Sequence, residues 1–276
     1  MWMLGAVLAL TMMGVAGREL AAGLPLAEIV LFRNLFTLAV IMALLRRYGT
    51  GMLRSPRLGL HGLRNVIHFA AQIGWYYGLL QLPLAQVFAI EFTTPIWTAV
   101  MAVLFLDERL TRLRAGAILL GFCGILVILR PGLAAVDLAA LVVLAAAVGY
   151  AGAFAVTKAL TRTDSALTIL FHMNLIQLPL ALAPSLITWV TPSLALWPWV
   201  LVTGIAGFYS HYCLSRAMAL ADAAAVAPVD FIRLPLAGLI GYLVYTEAVD
   251  VFLGLGAVVI ILANALNLRG ERRRRT

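Results

Sequence analysis

Ten long apolar runs separated by short polar or basic stretches make up most of this 276-residue chain. They fall at 1–17, 27–45, 62–81, 84–106, 115–129, 138–157, 166–189, 198–215, 223–245 and 251–268. A bilayer core of ~30 Å takes about 20 helical residues rising ~1.5 Å each, so runs of this length predict ten membrane-spanning helices. Within lipid every backbone N–H and C=O must find a partner inside its own segment, which is why helix is the expected form of each run.

One run organises the others. From Val87 to Phe105 the single charge is Glu91, placed at a depth where an ionisable group marks function more often than packing. The same design returns 139 residues later, with Asp230 in the place of Glu91, Phe231 in that of Phe92 and Glu247 in that of Glu108. At this ungapped offset Leu31-Phe32 also meets Leu170-Phe171, Phe69 meets Phe208, and Leu129-Arg130 meets Leu268-Arg269. Five segments therefore repeat as five: residues 1–130 form a first repeat, 138–268 a second, and 269–276 a basic tail. An odd number of spans per copy forces the second copy into the membrane upside down, the arrangement of alternating-access carriers.

Composition and charge sharpen this picture. At 63% hydrophobic and 12% charged, with a mean hydropathy of +1.01, the chain has too little polar surface to cover a water-soluble globule. The net charge of +8 does not point to nucleic acid, because the basic residues sit between the apolar runs and in the tail. Arg46, Arg47, Arg54, Arg57, Arg64, Arg109, Arg112, Arg114, Lys158, Arg162, Arg216, Arg269 and Arg272 to Arg275 fall on one side, 16 of the 20. That bias predicts both termini in the cytoplasm of a multi-pass membrane protein. Met1 opens the first run with no basic stretch before it, so no cleaved signal peptide is expected. Cys123 and Cys213 lie inside apolar runs, which leaves neither a disulfide framework nor a metal or redox motif, and no cofactor is expected. The absence of H-E-x-x-H and G-x-S-x-G patterns argues against an intramembrane enzyme.

The two five-helix halves, with Phe92-Thr93-Thr94-Pro95 leading through Asp107-Glu108 to the glycines Gly116, Gly121 and Gly124, resemble the drug/metabolite transporter superfamily, specifically its EamA-type exporters. The stretch Ser215-Arg216-Ala217 through Asp230-Phe231-Ile232-Arg233-Leu234-Pro235 is similar to that of bacterial amino-acid and metabolite exporters, aromatic amino-acid exporters nearest. The resemblance covers nearly the whole chain. It implies an all-α membrane protein of ten helices around a central cavity lined by the third, fourth, eighth and ninth segments, exporting small solutes across the bacterial inner membrane; the sequence itself leaves the oligomeric state open, a monomer being one option.

Candidate site residues are those whose polarity is costly at their depth. Arg33, Glu91, Asp230 and Arg233 would each cost about 2.5 to 3.5 kcal/mol unpaired at a helix centre. Their spacing suggests two pairs, Asp230 with Arg233 one turn apart and Glu91 with Arg33 on neighbouring helices, with formal charges summing to zero. Such balance suits a zwitterionic or neutral solute. His68, Gln72, Trp75 and Tyr76 share one helical face, combining apolar bodies with hydrogen-bonding tips, and His211 and Tyr212 occupy the corresponding part of the second repeat. His68, Gln72, Trp75, Tyr76, Glu91, His211, Tyr212, Asp230 and Arg233 are therefore the expected substrate-binding residues of a secondary exporter. Amino acids with large apolar or aromatic side chains are its expected cargo. Pro95, Pro179, Pro228 and Pro235 are expected to bend their helices.

Overall fold

The computed structural model describes residues 2–105, 111–130, 137–220, 230, 232–248 and 250–275. The Asp107-Glu108 pair, Pro228 and Phe231 lie outside them. Among the described residues the secondary structure is all helical: α1 Trp2–Ala21, α2 Leu26–Tyr48, a 3-10 turn at Thr50–Leu53, α3 Leu58–Gln81, α4 Leu84–Glu91, α5 Thr94–Phe105, α6 Arg112–Leu129, α7 Leu138–Leu160, α8 Ala166–Ile187, α9 Trp197–Leu220, α10 Arg233–Tyr245 and α11 Val251–Arg275. Counting α4 and α5 as one interrupted segment gives the ten expected spans. The helices overrun the apolar limits where inward-facing polar residues extend them, as α3 does by starting at Leu58.

By length and composition Trp2–Ala21, Leu26–Leu44, Leu84–Met101, Leu138–Thr157, Ala166–Ile187 and Val251–Gly270 can each cross a bilayer, and Ala115–Leu129 and Arg233–Tyr245 are shorter apolar helices. At 24 residues α3 is long enough as well. His61, Arg64, Asn65, His68 and Gln72 lower its hydropathy, but all five are buried while Leu63 and Val66 face outward. The outer surface elsewhere is apolar, with Leu119, Leu126, Leu239, Leu243, Val258 and Leu262 exposed. Polar inside and apolar outside is the pattern a lipid solvent selects.

Packing follows a two-fold pattern. The third segment, α3, runs along the sixth, α7, as the first, α1, runs along the eighth, α9; the second packs on the seventh, the fourth on the ninth and the fifth on the tenth. At the α6–α11 contact a side chain on Gly124 would meet the carbonyl of Gly256 at 3.0 Å, and one on Gly256 would meet that of Gly124 at 2.8 Å. The backbones touch because neither residue has a Cβ.

Polar contacts join the halves at both ends of the bundle. At the end carrying the α1–α2 turn, Glu247 is ion-paired with Arg18 and accepts the Leu84 N–H at 3.0 Å, and Tyr245 donates to Glu19 at 2.8 Å. Arg130 is ion-paired with Asp250 there, and Glu28 accepts the Val190 N–H at 2.8 Å. At the opposite end Asp164 accepts from Ser55 at 2.8 Å and bonds His61 at 3.0 Å.

Candidate functional site

The fourth span breaks because Pro95 has no N–H to give the carbonyl four residues back and its ring crowds the preceding turn. The orphaned Glu91 carbonyl is taken instead by the Thr94 hydroxyl at 2.6 Å, and that of Ile90 by the Thr93 hydroxyl at 2.7 Å. Asn264 of α11 donates to the Phe92 carbonyl at 2.8 Å. The carbonyls of Ile90, Glu91 and Phe92 at the break are thus each given a donor, as non-helical backbone at membrane depth requires. It leaves Glu91 as the last residue of α4, its side chain free to point away from the helix axis.

The second repeat does the same at the same offset. Asp230 is helical, Ile232 is not, and α10 starts at Arg233, the counterpart of Thr94 where α5 starts. Pro235 was expected to bend this helix. It lies instead in the first turn of α10, where its missing N–H has no helical partner to lose. Pro179 and Pro184 lie inside α8.

The two breaks face each other and their charges meet. Arg233 donates through Nε to Asp230 Oδ1 at 2.8 Å, through one terminal nitrogen to Oδ2 at 2.6 Å, and through the other to Glu91 Oε1 at 3.2 Å. Its guanidinium lies over the rings of Phe92 and Phe88, 4.8 and 5.4 Å from their centroids. Trp75 donates to the other Glu91 oxygen at 2.8 Å and meets Tyr76 and Phe88 edge-on. Arg233 is nearly sealed, at 5% side-chain exposure, whereas the carboxylates of Glu91 and Asp230 keep 20% and 25%. The expected Asp230–Arg233 pair is present, but Glu91 pairs across the halves with Arg233 and not with Arg33.

Arg33 lies elsewhere. It donates to Asn34 Oδ1 at 3.0 Å and to Gln177 Oε1 at 3.1 Å, and the amide nitrogen of Gln177 contacts His68 Nδ1 at 3.0 Å. Arg64, assigned from sequence to the basic loop face, is instead buried, donating to Asn65 at 2.7 Å and Thr157 at 3.2 Å. An arginine seven residues into a helix reaches inward when its face is the polar one. With Arg64 counted, the buried charges of Arg33, Arg64, Arg233, Glu91 and Asp230 sum to +1, not zero.

Of the other expected residues, His68, Gln72, Trp75 and Tyr76 form one buried stripe. His211 is half-buried within electrostatic range of Arg33, Arg64 and His68. Tyr212 is not part of this group: it is exposed, edge-on to Trp2 and stacked on Phe208. Neighbouring helical positions lie ~100° apart, so His211 facing inward turns Tyr212 toward the periphery. Sequence reading passed over Arg64 and Gln177, and the site also includes Tyr150. The last meets the His68 ring edge-on at 5.3 Å, within electrostatic range of Glu91, Arg33 and Arg64. The signal for Arg64 was present, because the polar spacing through His68, Gln72 and Trp75 runs back to His61 and Arg64.

A duplicated ten-span bundle with charged, broken helices at its centre is the architecture of a membrane carrier. Residues 1–130 and 137–269 match the EamA-like transporter family, and the chain belongs to it. It is a transporter of small metabolites and not an enzyme. It is 26% identical to an S-adenosylmethionine uptake transporter of Rickettsia prowazekii, over 99% of this chain and 92% of that protein. It is 30% identical to a riboflavin transporter of Vibrio cholerae, over 99% and 94%. A pseudopaline exporter, CntI, of Pseudomonas aeruginosa is 27% identical, over 89% and 87%. None of these names an aromatic amino acid. A crystal structure covering 100% of this chain superposes with a TM-score of 0.70 at 17% identity, a likeness of fold.

Proposed function

We propose that this protein carries amino acids with large apolar or aromatic side chains across the bacterial inner membrane by alternating access between its two five-helix halves, with both termini in the cytoplasm. The observation that carries the reading is Glu91. It is a carboxylate at a helix break, partly exposed, held by Trp75 on one side and Arg233 on the other. A substrate ammonium can share Glu91 and Asp230 while its side chain lies against Trp75 and Phe88, giving a charge-assisted hydrogen bond and an aromatic contact in one place. S-adenosylmethionine, named for the Rickettsia relative, is itself an amino acid bearing an aromatic ring system, which fits the same demand. No ion site is evident in the sequence, so the solute's own gradient drives movement and sets its direction. Among the relatives, one is named for uptake and another for export.

A second reading, a neutral aromatic vitamin, is favoured by the riboflavin relative and the same aromatic wall. Proteoliposomes loaded with unlabelled solute separate the two. Labelled tryptophan, phenylalanine, S-adenosylmethionine and riboflavin are offered outside, with and without a pH gradient. Saturable exchange of the amino acids is expected, indifferent to the gradient. Trp75→Ala should reduce it about two- to thirteenfold, the value of one aromatic contact of ~0.5–1.5 kcal/mol. Riboflavin exchange with no amino-acid exchange would end the amino-acid reading and leave the transporter class.

A further inference from the structure

We infer that Arg33 and Arg64 form an anion subsite that takes the carboxylate of the transported solute. The inference deepens the amino-acid reading and rests on it for the identity of the solute, but the subsite itself is argued from the two arginines. Both are sealed from solvent, at 3% and 4% exposure, on adjacent helices, and near enough for their charges to interact. Among the described residues neither has a carboxylate within ion-pair distance; each is held only by neutral oxygens of Asn34, Gln177, Asn65 and Thr157. Two buried positive charges of this kind are far costlier than a paired set, and a bound anion is what compensates them.

The neighbouring donors point the same way. Tyr76 is fully buried close to Arg33, and its hydroxyl has no partner; nor does the Asn34 amide nitrogen. Gln177 gives its carbonyl oxygen to Arg33, which turns its NH₂ toward His68 and makes His68 Nδ1 the acceptor. The ring proton of neutral His68 is then on Nε2, a further donor. Two guanidinium forks, a phenol, an amide and an imidazole N–H can all donate, the complement of a carboxylate. Glu91 and Asp230 at the break are the acidic counterpart of this set, so a zwitterion can lie with its carboxylate at Arg33 and Arg64 and its ammonium at the break. The net charge of +1 over the whole site accepts an additional negative charge more readily than a cation.

The test measures ligand-induced thermal shift of the purified full-length protein in detergent, with probes that differ in one group. Tryptophan carries both charges, indole-3-propionate only the carboxylate, tryptamine only the ammonium, and benzoate is a minimal acid. Chloride and inorganic phosphate stand for a free anion. The three carboxylates should stabilise saturably, and Arg33→Gln and Arg64→Gln should each weaken them at least tenfold while leaving tryptamine within about twofold. Arg33→Lys should recover part of the loss, since it keeps the charge but not the fork. Equal weakening of tryptamine and the acids, or chloride and phosphate competing as well as benzoate, would overturn the subsite. Should the variants fail to fold, phenylglyoxal labelling of the wild-type protein decides. Protection of Arg33 and Arg64 by benzoate, read by mass spectrometry, supports the subsite; unchanged labelling refutes it. Carboxylate protection in a protein whose liposomes exchange no amino acid would keep the subsite and discard only the amino-acid reading.

Discussion

Arg233 is the joint between the two halves, and removing it tests whether three residues or two form the charged cluster. It makes three charge-assisted hydrogen bonds, two to Asp230 at 2.8 and 2.6 Å and one to Glu91 at 3.2 Å. Truncating one member of a buried ion pair costs about 3–5 kcal/mol, because the partner charge is stranded. The carboxylates here keep 20% and 25% exposure, so the lower end applies. Arg233→Gln is therefore expected to cost about 3 kcal/mol and Asp230→Asn about 2 kcal/mol. The double variant should cost about 3 kcal/mol, a coupling near 2 kcal/mol between residues that touch.

The third residue makes the distinction. After the double change Glu91 remains charged beside Trp75 with no cation, so adding Glu91→Gln should restore about 1 kcal/mol, whereas in an isolated Asp230–Arg233 pair it would restore nothing. Equilibrium unfolding from mixed micelles by increasing mole fraction of sodium dodecyl sulfate, followed by tryptophan fluorescence, gives each free energy. Additive losses for Asp230 and Arg233 would refute the pairing. A triple variant no more stable than the double would refute the cross-half bond to Glu91.

Two further outcomes follow from packing and charge. Gly124→Val should force α6 from α11, since the added Cβ meets the Gly256 carbonyl at 3.0 Å and Ile260 at 2.7 Å; a loss of 10 °C or more in melting temperature is expected, against little change for Gly116→Ala, where a Cβ meets open space. A fluorescent reporter that folds only in the cytoplasm, fused after Thr276, should glow, while activity of a periplasm-only phosphatase at the same junction would reverse the proposed orientation.

The spans and their duplication were legible because lipid imposes a coarse rule: some 20 apolar residues per crossing, whatever the packing. The helical face of His68, Gln72, Trp75 and Tyr76 was legible for a related reason, since periodicity alone assigns residues to one side of a helix. Arg64 was misread because a basic residue near a span's end obeys two rules at once. It can serve as a topology charge in the interface or snorkel inward along a polar stripe, and only neighbours on other helices, Thr157 and Asn65 here, decide. Tyr212 was misread because a count of aromatic residues along one helix does not say which partner helix lies beside it; α1 does, through Trp2. Gln177 gave no signal of its own, as its importance comes from linking Arg33 and His68 across the halves.

The mistaken partner of Glu91 carries a more general lesson about inverted repeats. Within one copy, neighbours in sequence are natural partners, which led from Glu91 to Arg33. The pseudo-two-fold, however, packs the fourth segment on its own counterpart, the ninth, so equivalent positions on these two helices approach each other across the axis. The repeat places Glu91 and Asp230 at equivalent positions, and strict symmetry would leave two carboxylates facing each other with no cation between them. Such an arrangement is unstable unless one is protonated or a cation intervenes. The chain resolves it by breaking symmetry at one residue: Thr94, which caps the break in the first copy, is replaced in the second by Arg233, which bridges both acids. The duplication thus fixes where the charges meet, and the departure from it supplies the cation that lets them stay there.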